Sequence, residues 1–288
     1  MSLIIDTDPG VDDALAITLA CFSKVNLVGI TTVYGNTDIE NATRNALTVL
    51  QIINKKVPVY EGSGGPIFGK PTLASSHGNN GLGGFFLKNL KQKKEKYSAF
   101  DFLVNILNNS KYKSVDIVCI GPVTNISLLN TLRPNLSKKI KRLVILGGVF
   151  CQKGNITPFA EFNAYNDPYA LNNVLQIPCD KILIPINVCR KTIFKKEDFE
   201  KIINRKLRES FKKIAEIYIN YYTSCRSEVN FEGGVMYDLL AIAYILNPRL
   251  FVTKKMYVGV ELTSKERLGK TYRKKEGYSC NLVTDANA

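Results

Sequence analysis

The opening of the chain limits what it can fold into more than any other stretch. Residues 3–5 (Leu-Ile-Ile) form a short apolar run rich in β-branched side chains, followed by Asp6-Thr7-Asp8-Pro9-Gly10-Val11-Asp12-Asp13. The run, with Pro and Gly just beyond it, reads as a buried strand. From Asp12 onward, Leu15, Leu19 and Phe22 keep helical spacing. The carboxylates therefore sit on a strand-to-helix loop, at the edge where open α/β sheets place ligands. Strand-like and helical runs alternate from there on. That alternation predicts an α/β fold: a doubly wound, mostly parallel central sheet flanked by helices, Rossmann-like, in a single domain over 1–288.

Asp6, Asp8, Asp12 and Asp13 put four carboxylates within eight residues. Two like charges about 4 Å apart repel by roughly 4 kcal/mol at an effective dielectric of about 20. A folded loop holds such a cluster only if some groups protonate or a cation enters. Carboxylate oxygens favour Ca²⁺ or Mg²⁺ over zinc. The plainer reading is a helix cap, but one cap needs one aspartate. An EF-hand loop is excluded, because Val11 stands where it needs Gly and Ile17 where it needs an acid.

Further polar residues follow the ends of strand-like runs. Residues 25–33 read as a strand ending at Gly35-Asn36, which sets Asn36 beside the acidic loop if the two strands are parallel neighbours. Residues 39–54 read as an amphipathic helix, with Ala42, Ala46, Val49, Leu50 and Ile53 inward, and 57–60 as a strand. Residues 61–84 are a glycine-rich loop carrying the only histidine, His77; long loops of this kind often serve as lids. The charge run 88–96 reads as an exposed helix end. Residues 100–107 and 126–132 read as helices; 115–120, 143–146 and 182–188 read as strands.

Asn155, Glu161 and Asn163 offer donors and acceptors suited to sugar hydroxyls, and Asp167-Pro168 opens a helix. Residues 196–225 are helical and basic, with Phe211, Ile214, Ile217, Tyr218, Tyr221 and Tyr222 as an apolar stripe that by default packs in the core. Tyr237-Asp238 opens a helix ending near Asn247-Pro248, where Asp238 would serve as a cap. Residues 251–263 and 270–283 alternate as strands and predict a hairpin or sheet edge.

The run Asp6-Thr7-Asp8-Pro9-Gly10-Val11-Asp12-Asp13-Ala14 resembles the N-terminal signature of the inosine-uridine-type nucleoside hydrolases. His77-Gly-x-x-Gly-Leu-Gly, Asn155 with Ala160-Glu161-Phe162-Asn163, and Met236-Tyr237-Asp238 resemble three later stretches of that family in order. The resemblance implies calcium-dependent hydrolysis of ribonucleosides to ribose and free base, in nucleoside catabolism or salvage. It implies Ca²⁺ on Asp8, Asp13, Asp238 and the Thr124 carbonyl, with Asp8 also the base that activates a calcium-bound water. Asp12, Asn36, Asn155, Glu161 and Asn163 would grip the ribose, and Tyr222 or Arg226 would touch the base. Tyr237 stands where many members carry histidine, so Tyr237 and His77 are both candidates for the leaving-group side; Leu146 replaces a methionine. A homodimer or homotetramer is implied, and the end at Ala288 is early for the family.

Composition narrows the rest. The 288 residues carry 39 basic and 25 acidic side chains, net +14. The basic residues are scattered, among them 190–196, with no nucleic-acid motif, so they read as a solvated surface rather than a nucleic-acid site. No apolar run approaches the ~18 residues of a membrane span, and no signal peptide is expected. Seven cysteines without a Cys-x-x-Cys pair read as reduced core cysteines, consistent with a cytoplasmic protein. Two rivals remain. An aspartate-nucleophile phosphatase would use Asp-x-Asp, though this chain has Pro9-Gly10 after it. A non-catalytic ribonucleoside- or ribose-binding protein would keep the metal site and lose turnover.

Overall fold

The computed structural model describes residues 2–112, 114–224 and 232–287; Cys225 and Arg226 lie outside the described residues. The first half alternates as expected. It runs β1 (Ser2–Thr7), α1 (Val11–Phe22), β2 (Asn26–Thr32), α2 (Ile39–Ile52), β3 (Val59–Glu61), α3 (Ala99–Asn108), β4 (Val115–Cys119), α4 (Thr124–Leu132), α5 (Pro134–Ser137) and β5 (Ile140–Leu146). Then come α6 (Phe162–Asn166), α7 (Pro168–Val174), β6 (Asp180–Ile184), α8 (Ile186–Cys189), β7 (Ile193–Phe194), a 3₁₀ turn at Lys196–Lys201 and α9 (Arg205–Thr223). The chain closes with β8 (Gly234–Val235), α10 (Leu239–Leu246), a 3₁₀ turn at Pro248–Leu250, β9 (Phe251–Val260), β10 (Thr271–Arg273) and β11 (Ser279–Ala286).

Nine strands make one sheet in the order β10-β9-β11-β6-β5-β4-β1-β2-β3, and β7 pairs with β8 separately. From β3 to β11 all neighbours are parallel; β9 and β10 add an antiparallel edge. Each inner strand feeds both faces, because its side chains alternate. Leu3 and Ile5 of β1 join a core with Ala14 and Ile17 of α1, Val49 and Leu50 of α2, Ile214 of α9 and Ile242 of α10. Ile4 points the other way, into a core with Leu103 of α3, Ile126 of α4 and Leu171 of α7. Burial on both faces is why these strands read as continuous apolar runs. The strand order reverses between β1 and β4, and that switch point sets the crevice where such sheets bind ligands.

Several expectations need correction. Residues 88–96 are not a helix end: their backbone groups bond outward, Lys91 N–H to Gln51 Oε1 at 2.7 Å and Glu95 N–H to the Val59 carbonyl at 2.8 Å. The expected strand at 182–188 stops at Ile184, because Pro185 lacks the N–H a ladder needs and caps α8 instead. The long helix at 196–225 starts at Arg205, where the Asn204 side chain accepts the Leu207 N–H. The segment 270–283 divides into β10 and β11, which flank β9 on its two sides. The cysteines are unpaired among the described residues; Cys119, Cys189 and Cys280 are buried, but Cys151 is exposed. No helix among the described residues is long and apolar enough to cross a membrane.

Candidate active site

The end of β1 delivers Asp8 to the switch point, with the turn after β2 on one side and the turn after β4 on the other. The Asn36 backbone N–H donates to Asp8 Oδ2 at 2.8 Å, and its Nδ2 donates to Asp13 Oδ2 at 3.0 Å. Asn36 therefore lies beside the acidic loop, as the parallel pairing of β1 and β2 requires. Glycine lets both turns come this close. A Cβ on Gly35 would lie 2.0 Å from Asp8 Oδ2, and one on Gly121 would lie 2.6 Å from Asp8 Oδ1. Thr124 opens α4 just beyond Gly121; it is buried, and its hydroxyl donates to Asp167 Oδ2 at 2.7 Å.

Asp12 and Asp13 occupy the first turn of α1, whose dipole favours negative charge. Asp13 does cap, accepting the Gly10 N–H at 2.8 Å, and it also accepts from the Thr7 hydroxyl. Asp238 stands at the N-terminus of α10 but makes no side-chain cap bond; it meets Asp13 instead. Ligand atoms of Asp12, Asp13 and Asp238 lie within 4.8 Å of one another. Asp8 borders this trio. Asp8 Oδ1 and Asp12 Oδ1 are buried without a hydrogen-bond partner.

Burial pushes the protonation of all four carboxyls upward, and repulsion from neighbouring carboxylates adds to it at Asp8, Asp12 and Asp238. Burial and the Asp13 charge hold Asp8 well above the usual range and bring Asp12 to about 8. Burial raises Asp13 and Asp238 as well, with neighbouring carboxylates adding to Asp238. A buried cluster of carboxylate oxygens with orphaned acceptors fits a hard divalent cation. Nearby Asp6 is a different case. It accepts from Asn125 Nδ2 at 2.8 Å and Thr31 Oγ1 at 2.5 Å, and burial raises it to about 6.

A cavity of about 260 Å³ opens above the cluster. Asp12, Asn36, His77, Asn155, Glu161, Asn163, Tyr237 and Asp238 all line it; Asp8, Asp13 and Thr124 lie outside its lining. Glu161 is fixed by three backbone donors: Asn163 N–H on Oε1 at 2.8 Å, and Gly148 and Ala164 N–H on Oε2 at 2.9 and 3.0 Å. Asn163 Nδ2 donates to the Ile120 carbonyl at 2.9 Å and the Leu146 carbonyl at 3.3 Å, which leaves its Oδ1 for a ligand. Asn155 Oδ1 accepts the Phe162 N–H at 2.8 Å. Leu146 also lines the cavity.

The opposite wall is aromatic. Tyr218, Tyr221 and Tyr222 on α9 line the cavity with Tyr237, so part of the stripe read as core is cavity wall. Tyr222 is hydrogen-bonded to both Tyr218 and Tyr237, and the Tyr218 hydroxyl donates to the Val235 carbonyl at 2.6 Å. The Tyr218 ring lies 4.8 Å from His77. His77 Nδ1 accepts the Val11 N–H at 3.1 Å, so that nitrogen carries no proton; burial lowers the imidazole to about 3. The nearby Asp12 Oδ1, 3.9 Å away, is therefore not a true ion-pair partner. The loop bearing His77 is tied down rather than loose, with Asn45 Nδ2 donating to the Asn80 carbonyl and Thr72 N–H donating to Asn166 Oδ1.

Sequence reasoning passed over Tyr218 and Arg190. Tyr218 was hidden in a core-like stripe. Arg190 was counted with the surface charges of 190–196, yet it lines the cavity.

A profile of the inosine-uridine preferring nucleoside hydrolases matches residues 3–288. The chain is 36% identical over 267 residues to "Probable uridine nucleosidase 1" of Oryza sativa subsp. japonica, covering 90% of this chain and 81% of that one. It is 34% identical to "Non-specific ribonucleoside hydrolase RihC" of Salmonella paratyphi A, covering 100% of this chain and 92% of the relative. The purine-preferring ribonucleoside hydrolase from Gardnerella vaginalis superposes with a TM-score of 0.91 at 26% identity, over 100% of this chain and 94% of that one. The chain belongs to the inosine-uridine preferring nucleoside hydrolase family. It is an N-glycosidase by class, an enzyme that hydrolyses the bond between ribose and base in ribonucleosides. That assignment displaces the phosphatase reading.

Proposed function

We propose that this chain, as one domain over 1–288, hydrolyses ribonucleosides with Ca²⁺ as its cofactor and Asp8 as the base. The observation that carries the reading is the buried carboxylate cluster, with its orphaned oxygens, lying against a polar cavity. Asp8, Asp13, Asp238 and the Thr124 carbonyl would hold the ion, with Asp12 close beside them. A bound cation neutralises the cluster and lowers the pKa of a water in its shell.

The protein groups then divide the work. Asp8 Oδ1, which has no donor of its own, takes the proton of the attacking water. The water oxygen bonds to the anomeric carbon as the C–N bond breaks, and the bonding pair leaves with the base. The sugar passes through an oxocarbenium-like state, which the surrounding carboxylates stabilise. Asp12, Asn36, Asn155, Glu161 and Asn163 hold the hydroxyls. Because Asp12, Asn36, Glu161 and Asn163 are buried, a sugar lacking the hydroxyl they hold leaves them unpaired and is rejected by a large factor. His77, accepting from Val11, positions the start of α1, and both it and Tyr237 line the cavity as candidates for contact with the base.

The same reading has the enzyme feeding nucleoside catabolism or salvage in the cytoplasm, as a homodimer or homotetramer. Uridine, inosine, cytidine, adenosine and deoxyuridine, each assayed for free ribose or deoxyribose, test the activity. Release from ribonucleosides but not from deoxyuridine supports it. Binding of ribonucleosides with no release from any of them would establish the binding-protein reading instead.

A further inference from the structure

Asn155 differs from the rest of the ribose grip. Asp12, Asn36, Glu161 and Asn163 are buried, and the packing around them fixes their side chains. Asn155 is exposed, on the loop between β5 and α6, so packing alone cannot set it. Its Oδ1 accepts the Phe162 N–H at 2.8 Å. That bond leaves the two Nδ2 hydrogens as donors for a substrate hydroxyl. The aim of those donors then depends on how firmly the backbone beneath them is held.

One turn of chain at α8 holds it from two points. Asn187 grips the start of the loop: its Oδ1 accepts the Phe150 N–H at 2.9 Å, and its Nδ2 donates to the Phe150 carbonyl at 2.6 Å. Arg190, three residues on and so on the same side of the turn, grips the end. Its Nη1 donates to Gln152 Oε1 at 3.1 Å, and its Nη2 donates to the Lys153 and Gly154 carbonyls at 2.8 and 3.3 Å. The Gly154 carbonyl and the Asn155 N–H belong to one planar peptide, so fixing the first fixes the second. Hydrogen bonds from a guanidinium are about twice as strong as neutral ones, and its rigid fork sets direction as well as distance. Gly154 is also where the loop folds back tightly: a Cβ there would lie 1.9 Å from the Ala160 carbonyl oxygen, in the segment that leads into Glu161.

We propose that Arg190 is a positioning residue: acting through the backbone at 152–154, it aims Asn155 at a substrate hydroxyl, so that the two residues work as one unit. The inference rests on the hydrolase reading above and adds to it a residue that need not touch the substrate. It has a distinct energetic signature. Residues that act through one network are not additive, so losing Arg190 costs little once Asn155 is gone. An arginine that only stabilised the fold would weaken every variant and every substrate alike.

The test is a double-mutant cycle on uridine with wild type, Arg190→Met, Asn155→Ala and the pair combined, together with Arg190→Lys. Asn155→Ala is expected to lower kcat/KM about 100-fold, and Arg190→Met at least 10-fold, the scale of a misplaced binding group. The combined variant should stay within about 3-fold of Asn155→Ala, and Arg190→Lys, which keeps a donor for the two carbonyls, should recover part of the loss. The 2′-, 3′- and 5′-deoxyuridines supply a second readout, by kcat/KM or, where turnover is slow, by inhibition constant. The analogue that Asn155→Ala penalises least lacks the hydroxyl Asn155 holds, and Arg190→Met should spare that same analogue. Losses that multiply in the combined variant, or an Arg190→Met loss equal on all four nucleosides, would overturn the proposal. So would wild-type activity in either single variant. If wild type releases base from no ribonucleoside, the hydrolase reading itself fails, and the same cycle read as dissociation constants for uridine then decides the role of Arg190.

Discussion

Asp167 and Asp238 are both buried aspartates at the N-terminus of a helix, and their carboxylates behave differently. Asp167 caps α7 in full. Its Oδ1 accepts the Ala170 N–H at 3.0 Å, and its Oδ2 accepts from Thr124 Oγ1 at 2.7 Å and the Ile67 N–H at 2.9 Å. Asp238 leaves its helix uncapped and turns toward Asp13 and Asp12. Two residues with the same local sequence logic thus serve opposite ends. A carboxylate surrounded by donors stabilises the fold. A carboxylate aimed at other carboxylates costs stability until a cation arrives, and such a cost persists where function needs it.

Substitutions can break that contrast. The largest expected effect is on chemistry: Asp8→Ala should lower ribose release by about 10³-fold or more, the upper part of the range for losing a general base. Asp238→Asn should also abolish most activity, yet the chelated variant should melt no lower than chelated wild type, because a like charge has been removed. A clear drop in Tm there would place Asp238 with Asp167 as a structural cap. Asp167→Ala should show the reverse. Losing a cap costs about 1–2 kcal/mol, or a few degrees of Tm at ~2–4 °C per kcal/mol, with ribose release within about 10-fold of wild type.

The smallest effect is on pH dependence, and it sharpens the same contrast. Asp12, raised to about 8, and Asp6, raised to about 6, hold protons in the folded protein that the unfolded chain releases near pH 4. Between about pH 4 and 8 the native state therefore binds more protons, so stability falls as pH rises. Chelated protein should melt several degrees higher at pH 5 than at pH 8, and Ca²⁺ should flatten the slope by supplying the compensating charge. An unchanged slope with Ca²⁺ would mean that the ion does not reach the cluster.

Much of this site was legible before any coordinates because the chemistry is local. Asp6 to Asp13 crowd into one loop, and Asn36 follows a strand end, so a parallel sheet alone was enough to bring them together. Glu161 and Asn163 sit two residues apart on one turn. The aromatic wall was less legible. Tyr218 has the spacing of a core residue, and only the packing of α9 against the cavity separates a buried stripe from a pocket lining. Arg190 was read as surface charge because nothing local marks it; the turn after Pro185 and the fold of the loop at 150–155 bring it inward. The strands at β7 and β8 were missed for the same reason, since their pairing joins residues 193–194 to 234–235.

The central claim is that a cation makes this carboxylate cluster a working site with Asp8 as its base. The direct measurement is ribose release from uridine and inosine by chelated protein as Ca²⁺ is titrated back, run in parallel on Asp8→Ala. The account predicts release that is lost on chelation and returns saturably with Ca²⁺ in wild type, while Asp8→Ala stays inactive at every concentration. Full activity in the chelated protein, or recovery in Asp8→Ala, would contradict it.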